Sequence, residues 1–256
     1  MSARPAALVT GARRGIGRAV CVALAHAGFD VVGSDIASEG ADETAAAVQA
    51  AGGAFRFFPA NVATLEDHSA LVTAAWEAFG GLECLVSNAG VGAMQRGDLL
   101  EVTPESWDRC FDVNTRGAFF LAQAVARRMV ADGAPLRGAR SIVFISSANA
   151  ALASEDRAEY TASKAATSML AKLFALRFAE DGIAVHDIRP GVIRTDMTAP
   201  VAARYTARIE AGLSPIRRWG EAEDVGRAVA LLASGAFPFT TGDSFHIDGG
   251  LHVHKL

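Results

Sequence analysis

The sequence predicts a doubly wound α/β fold: a parallel sheet of about seven strands with helices on both faces. Short β-branched or apolar runs recur along the whole chain, at 6–10, 30–35, 54–59, 82–87, 141–145, 183–188 and 244–247. Helix-length patterns lie between them, including 16–27, 65–79, 107–130, 159–180 and 222–232. The runs are apolar on both faces, as strands covered from two sides must be. Right-handed crossovers between parallel neighbours then wind the sheet in both directions.

Each element fits that frame. No Pro- or Ser-rich linker and no internal repeat divides residues 1–256, so they read as one domain. One stretch, 195–219, breaks the alternation just before the last helix and strand. It is mixed in character (Pro200, Tyr205, Gly212, Pro215) and reads as an inserted lid or substrate loop.

Composition removes several functional classes. The chain is 51% hydrophobic and 20% charged, which argues for a packed core and against disorder. A net charge of −4 provides no basic field for nucleic acid or an anionic membrane. No apolar signal segment opens the chain and no run is long enough to span a bilayer, so a cytoplasmic protein is expected. Cys21, Cys84 and Cys110 are odd in number and sit within apolar patterns, as reduced packing residues do. His68, His186, His252 and His254 show no grouping with Cys or carboxylates, so no metal site is expected.

After the first strand comes Thr10-Gly11-Ala12-Arg13-Arg14-Gly15-Ile16-Gly17, then a helix. Its glycines let the backbone turn tightly and present bare amides to a diphosphate at the helix N-terminus. The spacing Gly-x3-Gly-x-Gly differs from the G-x-G-x-x-G fingerprint. Asp35 closes the second strand, where a carboxylate can accept hydrogen bonds from both adenosine ribose hydroxyls and repel a 2′-phosphate. Arg14 pulls the other way, since a guanidinium there can pair with that phosphate. Repulsion at the ribose itself should outweigh a flexible, solvated Arg. NAD(H) is therefore the favoured cofactor, with NADP(H) as the alternative.

Downstream, Ser146-Ser147 follows the buried run 142–145, and Tyr160-x3-Lys164 opens the most helical stretch. Tyr160 and Lys164, at i and i+4, share a helix face. An ammonium beside a phenol favours phenolate, which fits the phenol for proton exchange with an alcohol or ketone. A serine hydroxyl at the neighbouring strand end can hold the same oxygen.

These residues, in this order, resemble the short-chain dehydrogenase/reductase family over nearly the whole chain. The matching positions are Thr10-Gly11-x3-Gly15-Ile16-Gly17, Asn88-Ala89-Gly90, Asn114, Ser147, Tyr160-x3-Lys164 and Arg189-Pro190-Gly191. The resemblance implies a Rossmann-like fold and a shared mechanism. Tyr160 would be the general acid/base, and Ser147, rather than Ser146, would orient the substrate oxygen. Lys164 would lower the Tyr160 pKa and hold the nicotinamide ribose. Asn114, within the helix pattern 111–130, would hold a water for a proton relay through Lys164. Asn88, Ala89 and Gly90 would line the adenosine side and steady the sheet. Asn61-Val62 stands where relatives often have Asp-Val against the adenine. Pro190, Gly191, Ile193 and Thr195 would meet the nicotinamide carboxamide. Relatives mostly form tetramers, often through the helices carrying Asn114 and Tyr160, so a homotetramer is expected.

The substrate side is quieter. The small, apolar segment 148–153 suggests an uncharged ketone or secondary alcohol, and Glu155, Asp156 and Arg157 read as solvated loop charges. The leading expectation is NAD(H)-linked interconversion of a secondary alcohol and a ketone. The alternative is an NADPH-dependent 3-ketoacyl-(acyl-carrier-protein) reductase, with Arg127, Arg128, Arg137 and Arg140 as a docking patch for the acidic carrier. A non-catalytic dinucleotide sensor is the remote third, because a sensor has no need of a tuned phenol.

Overall fold

A computed structural model describes residues 4–132 and 137–253. Seven parallel strands form one sheet in the order β3-β2-β1-β4-β5-β6-β7. They are β1 (Ala6–Thr10), β2 (Asp30–Asp35), β3 (Phe55–Pro59), β4 (Cys84–Ser87), β5 (Arg140–Ile145), β6 (Ile183–Pro190) and β7 (Ser244–Ile247). The doubly wound expectation holds, and each strand lies within three residues of its expected bounds. Between β1 and β4 the chain reverses its direction of winding. That switch point opens a crevice at the C-terminal strand ends, where ligands bind in sheets of this type.

Helices α1 (Gly15–His26), α2 (Ala41–Ala50) and α8 (Ala222–Ala233) cover one face over a core that includes Val9, Leu24 and Val229. The other face carries α3 (Glu66–Phe79), α5 (Ala118–Ala131) and α6 (Ala158–Phe178) over Leu8, Leu121, Phe144 and Phe174. A capping box between Glu221 and Asp224 starts α8, satisfying backbone donors at both positions. The short α4 (Pro104–Phe111) begins at Thr103, whose hydroxyl accepts from the Ser106 amide at 3.3 Å. Cys21, Cys84 and Cys110 are free and buried.

Two helices depart from expectation. The helix α2 was not anticipated, because its buried stripe is Ala41, Thr44 and Val48, with only one strongly apolar residue to mark the period. The expected continuous helix 107–130 is instead broken by a wide π turn at Asp112–Gly117 between α4 and α5. Within the interrupting stretch 195–219, α7 (Ala202–Glu210) packs Tyr205 and Ile209 against Trp219 in a small apolar cluster of its own.

Of the four arginines expected as a docking patch, Arg127 is exposed and the other three have partners within the chain. Arg137 is held by Glu83 at 2.8 Å and by the Phe79 carbonyl, Arg128 lies over the Trp76 ring, and Arg140 bonds the Asp132 carbonyl. Arg140 also opens β5, and so stands at the opposite sheet edge from the crevice. The Glu83 carboxylate is nearly inaccessible and additionally accepts the Ala6 amide at 2.8 Å. Truncating its partner leaves a buried charge unpaired, so Arg137→Ala should lower unfolding stability by about 3–5 kcal/mol in denaturant titration.

Candidate active site

A cleft of about 680 Å³ lies along the C-terminal strand ends, bounded by the turn after β1, the end of β2 and the turn after β6. Every position expected to touch cofactor lines it, from Gly11 to Thr195, together with Ser147, Tyr160 and Lys164. Asn114 does not line it. That side chain is buried behind the wall at 1% exposure.

The first turn is shaped by close backbone approach. A Cβ on Gly17 would stand 1.9 Å from the Gly11 carbonyl oxygen, so no side chain fits there. The Asn88 amide donates to the Thr10 carbonyl at 2.8 Å, and the Thr10 hydroxyl accepts from the Asn88 and Ala89 amides at 3.1 and 3.0 Å. These bonds tie the end of β4 to the turn. The N-terminus of α1 has no side-chain cap and no acidic residue in its first turn. Its amide donors and partial positive charge are left for an anion from outside the chain. The residues fit a dinucleotide diphosphate.

At the far end of the turn, Asp35 and Arg13 approach to 3.3 Å, both largely shielded from solvent. Arg14, the residue that argued for a 2′-phosphate, instead pairs with Asp196 at 3.1 Å on the surface. Each guanidinium beside the ribose position already has a carboxylate. Asn61 accepts the Ala63 amide at 3.1 Å, a bond that shapes the turn after β3.

The two serines after β5 both line the cleft but differ in what their hydroxyls hold. Ser146 is bonded to the buried Asp187 carboxylate and to the Ile188 carbonyl, within the sheet. Ser147 faces the cleft, and its hydroxyl accepts the Asn149 amide at 3.1 Å. Asp187 is further held by Ser168, Ser244 and Arg189, so the Arg189 of the Arg-Pro-Gly motif braces strand ends rather than lining the cleft.

Lys164 is 5% exposed and donates to the Ile145 carbonyl at 2.9 Å. Burial lowers its pKa to about 8, partly opposed by the charge of Asp187. The expected lowering of Tyr160 is not seen. Burial pushes that phenol up, outweighing its hydrogen bond with Ser147 and the charge of Arg157. The Lys164 amine lies 6.0 Å from the Tyr160 ring centre and bonds a backbone carbonyl, too indirect a contact to compensate for desolvation. The phenol is thus held in its protonated form.

Asn114 sits in the π turn and is fixed at three points. It accepts the Val91 amide at 2.8 Å and donates to the Val91 carbonyl at 3.0 Å and the Ser163 hydroxyl at 2.9 Å. A Cβ on Gly90 would fall 3.1 Å from the Lys164 amine and 3.2 Å from Asn114 Oδ1, so the missing side chain at position 90 lets the two converge.

Other expectations change. Asp156 and Arg157 are half-buried cleft residues, not solvated loop charges. Arg96, Arg109, Arg204 and Arg208 also line the cleft and had no motif to announce them. His252 does group with a carboxylate: its Nδ1 is 2.8 Å from Asp248 Oδ2, and His246 Nδ1 is 3.6 Å from the same oxygen. Asp248 accepts the Gly250 and His252 amides, and so caps the turn after β7. None of these three lines the cleft. His68 Nε2 meets the Val62 carbonyl at 2.8 Å, and His254 lies outside the described residues.

A glycine-rich turn before an uncapped helix, a carboxylate at the end of β2 and a Ser-Tyr-Lys group on one cleft define a dinucleotide-dependent oxidoreductase. A family model described as Enoyl-(Acyl carrier protein) reductase matches residues 11–252. The chain belongs to the short-chain dehydrogenase/reductase family. A 3-oxoacyl-[acyl-carrier protein] reductase from Brucella melitensis, solved in complex with NAD, is 49% identical over 99% of both chains, with TM-score 0.96. A Staphylococcus aureus 3-oxoacyl-[acyl-carrier-protein] reductase is 31% identical over 99% of this chain and 100% of its own length. An Agrobacterium tumefaciens structure with bound NADP is 33% identical over 98% and 97% of the two chains, with TM-score 0.86. The protein is an NAD(P)(H)-dependent enzyme acting on alcohol and ketone groups.

The buried amine yields a stability test. Below pH 8 the folded state must hold a charge its surroundings disfavour, and that penalty fades as pH rises towards the usual lysine value of 10.5. Lys164→Met should therefore raise ligand-free stability at pH 7 by about 1–3 kcal/mol. The gain should shrink towards pH 10 in melts across that range. A variant equally or less stable at pH 7 would show that the amine is well solvated.

Proposed function

We propose that this chain reduces the 3-oxo group of an acyl substrate to a secondary alcohol, using NADH in preference to NADPH. The observation that carries the reaction is the protonated Tyr160 hydroxyl facing a cleft beside Ser147 and above the buried Lys164 amine. When bound, the dinucleotide supplies the hydride. Ser147 holds the ketone oxygen by donating its hydroxyl proton in a hydrogen bond. Tyr160 then delivers a proton to that oxygen as negative charge develops there. A phenol that burial keeps protonated suits donation to the developing alkoxide. Lys164 stabilises the phenolate left behind and positions the ribose. Asn114 holds Val91 and Ser163 in place behind them.

The acyl reading is supported by the names of the Brucella and Staphylococcus relatives. The cofactor reading is supported by Asp35. A 2′-phosphate there would meet a carboxylate, while Arg13 and Arg14 are already paired. We further infer a homotetramer in the cytoplasm. Phe120 on α5 and Met169, Leu173 and Leu176 on α6 are exposed apolar residues that a second copy would cover. Light scattering is expected to give four times the chain mass.

Initial rates with acetoacetyl-CoA and with its N-acetylcysteamine thioester, each with NADH and NADPH, test the function. NADH should give the higher kcat/KM, and Asp35→Ala should erase or invert that preference. Tyr160→Phe should reduce turnover at least about a thousandfold, while NADH affinity, read by fluorescence titration, stays within several-fold. Near-normal turnover by that variant would remove Tyr160 from the chemistry. A wild-type preference for NADPH would remove Asp35 as the cofactor determinant.

A further inference from the structure

We propose that the half of the cleft beyond Tyr160 is an anion subsite, in which Arg157 and Arg96 bind a carboxylate or phosphate carried by the substrate. The inference rests on the ketone-reductase reading above and adds the charge of the molecule reduced.

Arg157 is the central residue. Its guanidinium lies 5.2 Å from the Tyr160 ring centre, held by neutral oxygens alone: Asn149 Oδ1 at 2.7 Å and the Ser154 hydroxyl at 3.1 Å. No carboxylate among the described residues comes within ion-pair distance of it. Arg96 stands on the same side, its guanidinium stacked at 5.9 Å from the Tyr205 ring centre. One carboxylate serves this region, Asp156, at 3.6 Å from Arg96 and 3.0 Å from Arg204. Burial alone would raise the Asp156 carboxyl. The Ser154 and Arg204 hydrogen bonds and the Arg96 and Arg157 charges outweigh it and hold the group ionised. Arg109, bonded to the Gly92 carbonyl, and Arg208 add further positive charge at the mouth.

Nearby acids do not cancel this excess. Glu159 turns away to Ser106 within the core, and Asp196 is paired with Arg14 on the cofactor side. Glu155 is exposed and does not line the cleft. Arginines over a solvated surface would carry little meaning, because water screens them. Arg96 and Arg157 are half-buried and line a cleft where the effective dielectric is lower and a planar fork matches an oxyanion; Arg157 is pre-oriented by neutral acceptors, and Arg96 shares its one carboxylate, Asp156, with Arg204. The subsite therefore selects a ketone whose acid group lies a few bonds from the reacting carbon, or whose acyl arm carries a phosphate.

Four probes separate these cases with the full-length enzyme and NADH: acetoacetate, methyl acetoacetate, acetoacetyl-CoA and acetoacetyl-N-acetylcysteamine. At least one charged member should exceed its neutral partner by tenfold or more in kcat/KM. Preference for acetoacetate over its ester identifies a carboxylate, and preference for the CoA thioester over the truncated thioester identifies a phosphate. Arg157→Gln and Arg96→Gln should collapse that ratio mainly through KM, and Arg157→Lys should restore part of it. Thermal melts of both variants should match the parent, which shows that they are folded. Equal rates for charged and neutral members in the wild-type enzyme would overturn the subsite. If no probe is turned over, the 3-oxoacyl reading fails separately, and calorimetric titration of the NAD-loaded enzyme with malonate then decides. Binding that Arg157→Gln abolishes supports the subsite, and absence of binding overturns it.

Discussion

The site depends on a lysine amine kept where it is poorly solvated. Lys164 donates to the carbonyl end of β5, and its amine converges with the Asn114 side chain on the bare backbone at Gly90. Burying an ammonium is unfavourable, and the fold offsets that cost with one carbonyl and the distant charge of Asp187. The remaining demand for a partner is what equips the amine to hold a ribose hydroxyl or a phenolate. The same confinement raises Tyr160 rather than lowering it. A resting site with a neutral phenol and a reluctant cation is poised to develop charge only when substrate and dinucleotide are both present.

The cleft is electrostatically divided. At one end Asp35 and Arg13 neutralise one another, as do Asp196 and Arg14 at the rim, and the proposed cofactor preference rests there on where a carboxylate sits. At the substrate end positive charge is in excess. The two regions lie on different loops, so in the proposed reading the turn after β1 and the segment around Ser154–Arg157 set cofactor and substrate separately. Such a division lets one scaffold serve many ketones without altering the hydride step.

Much of this was legible in the sequence, for identifiable reasons. Both-face apolar runs mark buried parallel strands, and the glycines of the first turn report a backbone approach that only a missing side chain permits. The Tyr-x3-Lys spacing places two side chains on one face whatever surrounds them. Properties set by surroundings were not legible. Nothing in the spacing tells whether an amine 6.0 Å from a ring outweighs burial of that ring's hydroxyl. Arg96, Arg157 and Arg204 come from three separate loops and helices and meet only after folding. The two adjacent serines could be separated by family register, but the physical distinction, a buried Asp187 claiming Ser146, required the sixth strand to be in place.

The wide turn at Asp112–Gly117 has an architectural consequence. A π turn accommodates one residue more than an α-helical turn, so the side chains of α5 are shifted by about 100° around the helix axis from where an unbroken helix would put them. The apolar rows before and after it therefore belong to different faces, with Cys110 directed by one phase and Leu121 by another. Deleting a single residue within the turn would restore regular winding and swing the Asn114 amide off Val91 and Ser163. The irregularity acts as a phase shifter, setting the wall of the cleft independently of the core beneath it.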